Sequence, residues 1–180
     1  FNFIQGDVIK LIKNNKIKID EFDLIHASPP CQAYSRTKSF NKDKEYPDLI
    51  DKTRELIKDN YYVIENVEFA KNKLINPIRL CGEMFNLKVI RHRLFEINLP
   101  IKEPEHEKHS GRVIYRSEDR NKNNYKYFGI HGNNVGTLQE WREAMGIDWM
   151  EKEELTQAIL PAYTEYIGKE IKRLLDMNFY

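Results

Sequence analysis

A chain of 180 residues is long enough to bury one substantial core. Its 29 Lys plus Arg offset 28 Asp plus Glu, so a net charge of +1 argues neither for nor against a polyanionic partner, and any electrostatic footprint must be local. No apolar run approaches the roughly 20 residues needed to span a bilayer, and two cysteines, Cys31 and Cys81, are too few for a secreted disulfide scaffold and fit a reducing intracellular setting.

"FNFI" reads as a short strand that opens mid-element, which suggests that residues precede Phe1. Gly6-Asp7 turns the chain into "VIKLIKN", where Val8, Leu11 and Ile12 have helical spacing. Phe22 to Ala27, "FDLIHA", is an apolar run ending at Pro29-Pro30 and reads as a buried parallel strand. Gln32 to Tyr46 is polar and basic without periodicity, a loop. Pro47 then opens an amphipathic helix with Leu49, Ile50, Thr53, Leu56 and Ile57 on one face.

Tyr61 to Val67, "YYVIENV", reads as a second buried strand. Leu87 to Ile97 reads as a third, on which Arg91 and Arg93 would share a face. From Asn98 to Tyr127 the chain turns polar. Lys102, Lys108, Arg112, Arg116, Arg120, Lys122 and Lys126 are interleaved there with Tyr115, Tyr125 and Tyr127, a composition open to two readings: a solvated surface, or a segment gripping a nucleic acid. Helices are expected over "TLQEWREAMG", closed by Gly146, over "EKEELTQAI", and from Ala162 to the end after Pro161. Residues 1–97 and 128–180 would form one domain, with 98–127 inserted.

Strands alternating with helices predict an α/β fold with a mainly parallel sheet. Active groups in such folds gather at the carboxyl ends of the strands, and Cys31 and Glu65 both stand where a predicted strand runs out. Cys31 is open to three readings: a packed thiol behind a turn, half of a disulfide, or a nucleophile on a stiff backbone. A nucleophilic cysteine needs nearby positive charge, for which Arg36, Lys38, Arg91 and Arg93 are candidates. Cys, Glu and Arg converging on a planar heterocycle would suit conjugate addition. Cys81 reads as packed. His106 and His109, without further ligands, do not suffice for a metal site, and none is expected.

"SPPCQ" (Ser28 to Gln32), "ENV" (Glu65 to Val67) and "RHRLFE" (Arg91 to Glu96), in that order, resemble three core motifs of the DNA cytosine-5 methyltransferases. "LQEWREAMGIDWM" and the divergent "LTQAILPAYTEYIG" resemble the two closing motifs, and the compact layout is most similar to phage- and prophage-type members. The resemblance implies a Rossmann-like fold that uses S-adenosylmethionine. Cys31 would add to C6 of a cytosine flipped out of double-stranded DNA, Glu65 would hold the N3/N4 edge, and Arg93, supported by Arg91, would contact the ring oxygen. Asp7, Pro29, Thr156 and Gln157 would contact the cofactor. Gln32, Ser35, Arg36, Lys38, Arg112 and Arg116 would contact DNA, with 98–127 as a minimal target-recognition segment.

The family's Phe-x-Gly-x-Gly cofactor loop has no counterpart in these residues. The resemblance therefore implies that the first βαβ unit lies outside this numbering, comes from a complementing chain or has degenerated, and that these 180 residues alone bind S-adenosylmethionine weakly or not at all. Two alternatives stand beside the DNA enzyme: an inactive remnant serving as a DNA-binding or interaction module, and the same chemistry on tRNA. A monomer away from membranes, in the cytoplasm of a bacterial or phage-infected cell, is expected. The role would be restriction–modification, phage protection or regulation.

Overall fold

The computed structural model describes residues 2–34, 46–130 and 135–177. Asp7 starts the first regular element. Its carboxylate accepts the Lys10 backbone N–H at 3.2 Å and caps α1 (Val8–Lys13). The strand expected over "FNFI" does not form. Phe3 is 87 % exposed, and no described strand lies alongside to satisfy its backbone groups, so apolar β-propensity alone does not make a strand.

The chain divides into two compact units, residues 1–78 with 94–100 and residues 79–93 with 101–180. This division differs from the expected boundaries at 97/98 and 127/128. In the first unit, β1 (Ile25–Ala27) is shorter than the expected strand, and it is half-buried rather than buried. After Ser28 come Pro29 and Pro30, which have no N–H for a ladder. The crossover carries α2 (Ile50–Ile57) and returns as β2 (Tyr62–Asn66), all five residues buried. β1 and β2 pair in parallel with Ala27 opposite Ile64, as a strand–helix–strand unit requires. Ile50 and Ile57 of α2 pack with Tyr62, Ile64, Ala70, Leu74 and Leu94.

β3 (Ile78–Leu80) leads from the first unit into the second. The expected third strand is only β4 (Arg93–Ile97), antiparallel to β2, with Glu65 opposite Phe95 and Asn66 opposite Leu94. Its shortness has two causes. β2 ends at Asn66 and offers nothing for residues before Arg93 to pair with. Arg91, just upstream, is drawn into the second unit by hydrogen bonds of its own.

In the second unit β5 (Arg112–Ile114) and β6 (Tyr125–Phe128) form a parallel pair around a short 3₁₀ turn, Ser117–Asn121. Three helices follow. α3 (Leu138–Met145) begins with a Thr137/Glu140 capping box and ends at Gly146 with φ 67°, the left-handed stop that its sequence signals. α4 (Lys152–Gln157) and α5 (Pro161–Met177) complete the chain's described part. Trp141, Met145, Ile147, Leu155, Leu160 and Tyr163 are buried there. The fold is α/β, with parallel pairing in β1–β2 and β5–β6. Among the described residues no helix is long and apolar enough to cross a membrane.

Candidate active site

Pro29 is buried, and its carbonyl, followed by another proline, has no helix or ladder to join. Asn66, 1 % exposed at the end of β2, meets that need. Its Nδ2 donates to the Pro29 carbonyl at 2.9 Å, and its Oδ1 takes the Val67 N–H at 3.0 Å. The dipeptide before Cys31 is thus fastened to the neighbouring strand. Cys31 opens a one-turn 3₁₀ helix, Cys31–Ala33. It is half-buried and makes no disulfide, so one of its three readings is removed.

Glu65 is 6 % exposed, adjacent to both Ile64 and the fastening Asn66. Strand alternation places it on the face opposite Tyr62 and Ile64, which pack under α2. The parallel pairing and the Asn66–Pro29 bond therefore bring Cys31 and Glu65 to the same edge of the sheet, at the carboxyl ends of β1 and β2, as the sequence predicts. The Tyr34 hydroxyl donates to the Asp48 carboxylate, which Lys73 also pairs at 2.8 Å, fixing the chain just after the thiol. Ser35, Arg36 and Lys38 lie outside the described residues. Gln32 is exposed.

Arg91 and Arg93 belong to the second unit. They do not share a strand face, because Arg91 precedes β4. Arg91 is 8 % exposed and donates through Nη1 to the Ile130 carbonyl (2.9 Å) and through Nη2 to the Thr156 carbonyl (2.7 Å), which makes it a tie between segments of its own unit. The buried Tyr163 hydroxyl donates to the Arg91 carbonyl and holds the same backbone. Arg93 is half-buried, with Nη1 on the His92 carbonyl at 2.9 Å.

The residues expected to hold the cofactor are largely committed to local bonds. The Asp7 carboxylate caps α1, the Thr156 hydroxyl donates to the Glu153 carbonyl at 2.6 Å, and the Gln157 amide contacts the Thr156 hydroxyl at 3.4 Å. The Pro29 carbonyl is taken by Asn66. The Asp7 and Gln157 side chains are exposed and keep hydrogen-bonding capacity beyond these local bonds.

In the polar segment, Arg120 forms a two-pronged ion pair with Glu140, both contacts 2.7 Å, and Lys122 pairs with Asp119 at 2.9 Å. Those cations are occupied. Arg112 and Arg116 are exposed, and Arg116 makes a loose 3.6 Å pair with Glu118.

Two features were not legible in advance. Asn66 sits inside the "ENV" motif, and its signal was an amide closing an apolar strand. The expectation that His106 and His109 stand without further ligands is corrected: Cys81 and His92 lie beside them.

The two thiols differ in access. Cys81 is 0 % exposed, and burial pushes its thiol up, whereas Cys31 is half-buried. Iodoacetamide at neutral pH is expected to alkylate Cys31 well ahead of Cys81 in the folded protein, read by peptide mass mapping. Equal rates would remove the distinction.

No family model matches the chain. No curated protein matches it. Among solved structures, one that resembles it is the crystal structure of S. pombe Dnmt2 methyltransferase, at 14 % identity and a TM-score of 0.48, over 96 % of this chain and 84 % of that one.

Proposed function

We propose that the chain carries the base-activating chemistry of a cytosine C5 methyltransferase acting on DNA. The reading rests on one observation above the others: the Asn66–Pro29 bond and the parallel β1–β2 pair set Cys31 and the buried Glu65 at one sheet edge. The motif resemblance supplies the substrate.

Cytosine C5 is a poor nucleophile. When the Cys31 sulfur bonds to C6, the C5–C6 π electrons move toward C4 and N3. In its protonated form, the Glu65 carboxyl donates to N3 and stabilises that density. C5 then carries enamine character and takes an electrophile; loss of the C5 proton and expulsion of the sulfur restore the ring. A sulfur held by two prolines and a fastened carbonyl loses little orientational freedom in this step. The base must leave the duplex to reach it. The overall reaction class is methyl transfer from S-adenosylmethionine. The exposed Arg112 and Arg116 would meet phosphates.

Addition to C6 can be observed without any methyl donor. With duplex DNA tritiated at cytosine C5, addition, protonation of C5 by water and elimination release tritium. Release is expected from the duplex, and tRNA in excess should not suppress it. Release from tRNA alone would transfer the reading to RNA, and release from neither would leave an inactive binding module.

A further inference from the structure

Four ligand-type side chains converge within the second unit. The Cys81 sulfur and one ring nitrogen from each of His92, His106 and His109 all lie within 4.8 Å of one another. The three imidazole centroids lie 4.8 to 5.5 Å apart; His106 meets both of the others edge-on, and His92 and His109 are tilted by 36°. Three separate stretches supply them: the turn after β3, the residue before β4, and the connection leading to β5.

Packing of imidazoles alone does not account for the arrangement. The His106 Nε2 is buried and has no hydrogen-bond partner among the described residues. A buried polar atom in that condition is destabilising, and a Lewis acid beside it removes the cost. The His92 Nε2 is buried too. The His109 Nδ1 is engaged by the Glu83 carboxylate, which leaves Nε2 as the atom available to a ligand. That carboxylate is itself held by the Ser110 N–H (3.3 Å), the Ser110 hydroxyl (3.1 Å) and the Tyr127 hydroxyl. A carboxylate that orients a histidine through its far nitrogen is the usual outer support of a metal ligand. The turn presenting Cys81 is equally fixed: a Cβ on Gly82 would lie 2.4 Å from the Val89 carbonyl oxygen.

We propose that Cys81, His92, His106 and His109 form a tetrahedral zinc site. One thiolate with three imidazoles is a donor set that suits Zn²⁺. Bond lengths near 2.0–2.1 Å to nitrogen and 2.3 Å to sulfur put ligand atoms about 3.4–3.6 Å apart in a tetrahedron. Small side-chain adjustments close the cluster to that size. Four protein ligands leave no open position, so the ion is structural. It would tie the segment entering β5, and with it the exposed Arg112, to the turn after β3.

The test uses the full chain, stripped with a chelator and titrated with Co²⁺. One equivalent should bind with the intense visible bands of tetrahedral cobalt and a thiolate-to-cobalt charge-transfer band, and Zn²⁺ should displace it and raise the melting temperature. Cys81→Ser should lose the charge-transfer band. Glu83→Gln should keep the spectrum but weaken affinity about 10–100-fold. No stoichiometric binding to the wild-type chain, a weak octahedral spectrum, or an unchanged charge-transfer band in Cys81→Ser would each overturn the site. The titration involves no nucleic acid, so its result is separate from that of tritium release.

Discussion

Arg54→Met is expected to destabilise the fold by about 3–5 kcal/mol, the scale for stranding one member of a buried ion pair. Glu96 is 2 % exposed, and Arg54 reaches it in two parallel bonds, Nε to Oε1 at 2.6 Å and Nη2 to Oε2 at 2.7 Å. The Tyr62 hydroxyl (2.9 Å) and the Ile75 N–H (2.8 Å) supply the remaining partners. Arg54 also bonds the Lys73 carbonyl and Asp51, both at 2.7 Å, so the variant loses a junction of three segments. Urea unfolding is the measurement, and a change under about 1 kcal/mol, typical of an exposed pair, would refute the account.

The same carboxylate sets a pH dependence. Burial alone would raise Glu96, but hydrogen bonds from Arg54, the Ile75 N–H and Tyr62 outweigh it and hold the group below its ordinary value of 4.5. A folded-state value below the unfolded one means that the folded state binds fewer protons. The stabilisation is therefore complete above about pH 4.5 and drains as pH falls through the lower, folded-state value. Glu96→Gln should flatten that acid limb.

Cys31→Ser is expected to reduce tritium release by at least about 10³-fold, since removing a covalent nucleophile costs on the order of 10⁶ in rate. The hydroxyl keeps the shape of the thiol but not its nucleophilicity at neutral pH. Duplex affinity should hardly change, because phosphate contacts dominate it. Release that survives the substitution would remove Cys31 from the chemistry.

What the sequence revealed depended on whether the cause was local. Tyr62–Ile64 is an apolar run that the core wants whole, and Thr137, Glu140 and Gly146 write the ends of α3 into its own residues. The placement of Cys31 and Glu65 at the carboxyl ends of β1 and β2 is legible because strand ends are sequence features. Arg91 was misplaced because the carbonyls that recruit it, those of Ile130 and Thr156, lie far along the chain. Asn66 was overlooked for the same reason: its partner is a backbone atom of Pro29. The ligand cluster has no spacing motif, since Cys81, His92 and the 106/109 pair meet only through tertiary packing. "FNFI" failed in the opposite way, with strong local preference and no described strand to pair with.

The unit boundaries have a consequence for synthesis and for engineering. Each unit is assembled from two separated stretches, and residues 79–93 leave the first before 94–100 return to it. On a ribosome, β2 emerges with one side unpaired and waits for β4, and Glu96 reaches Arg54 only then. Fragments cut at residue 78 would lose that closure, so dissection of this protein should proceed by point substitution or circular permutation rather than truncation.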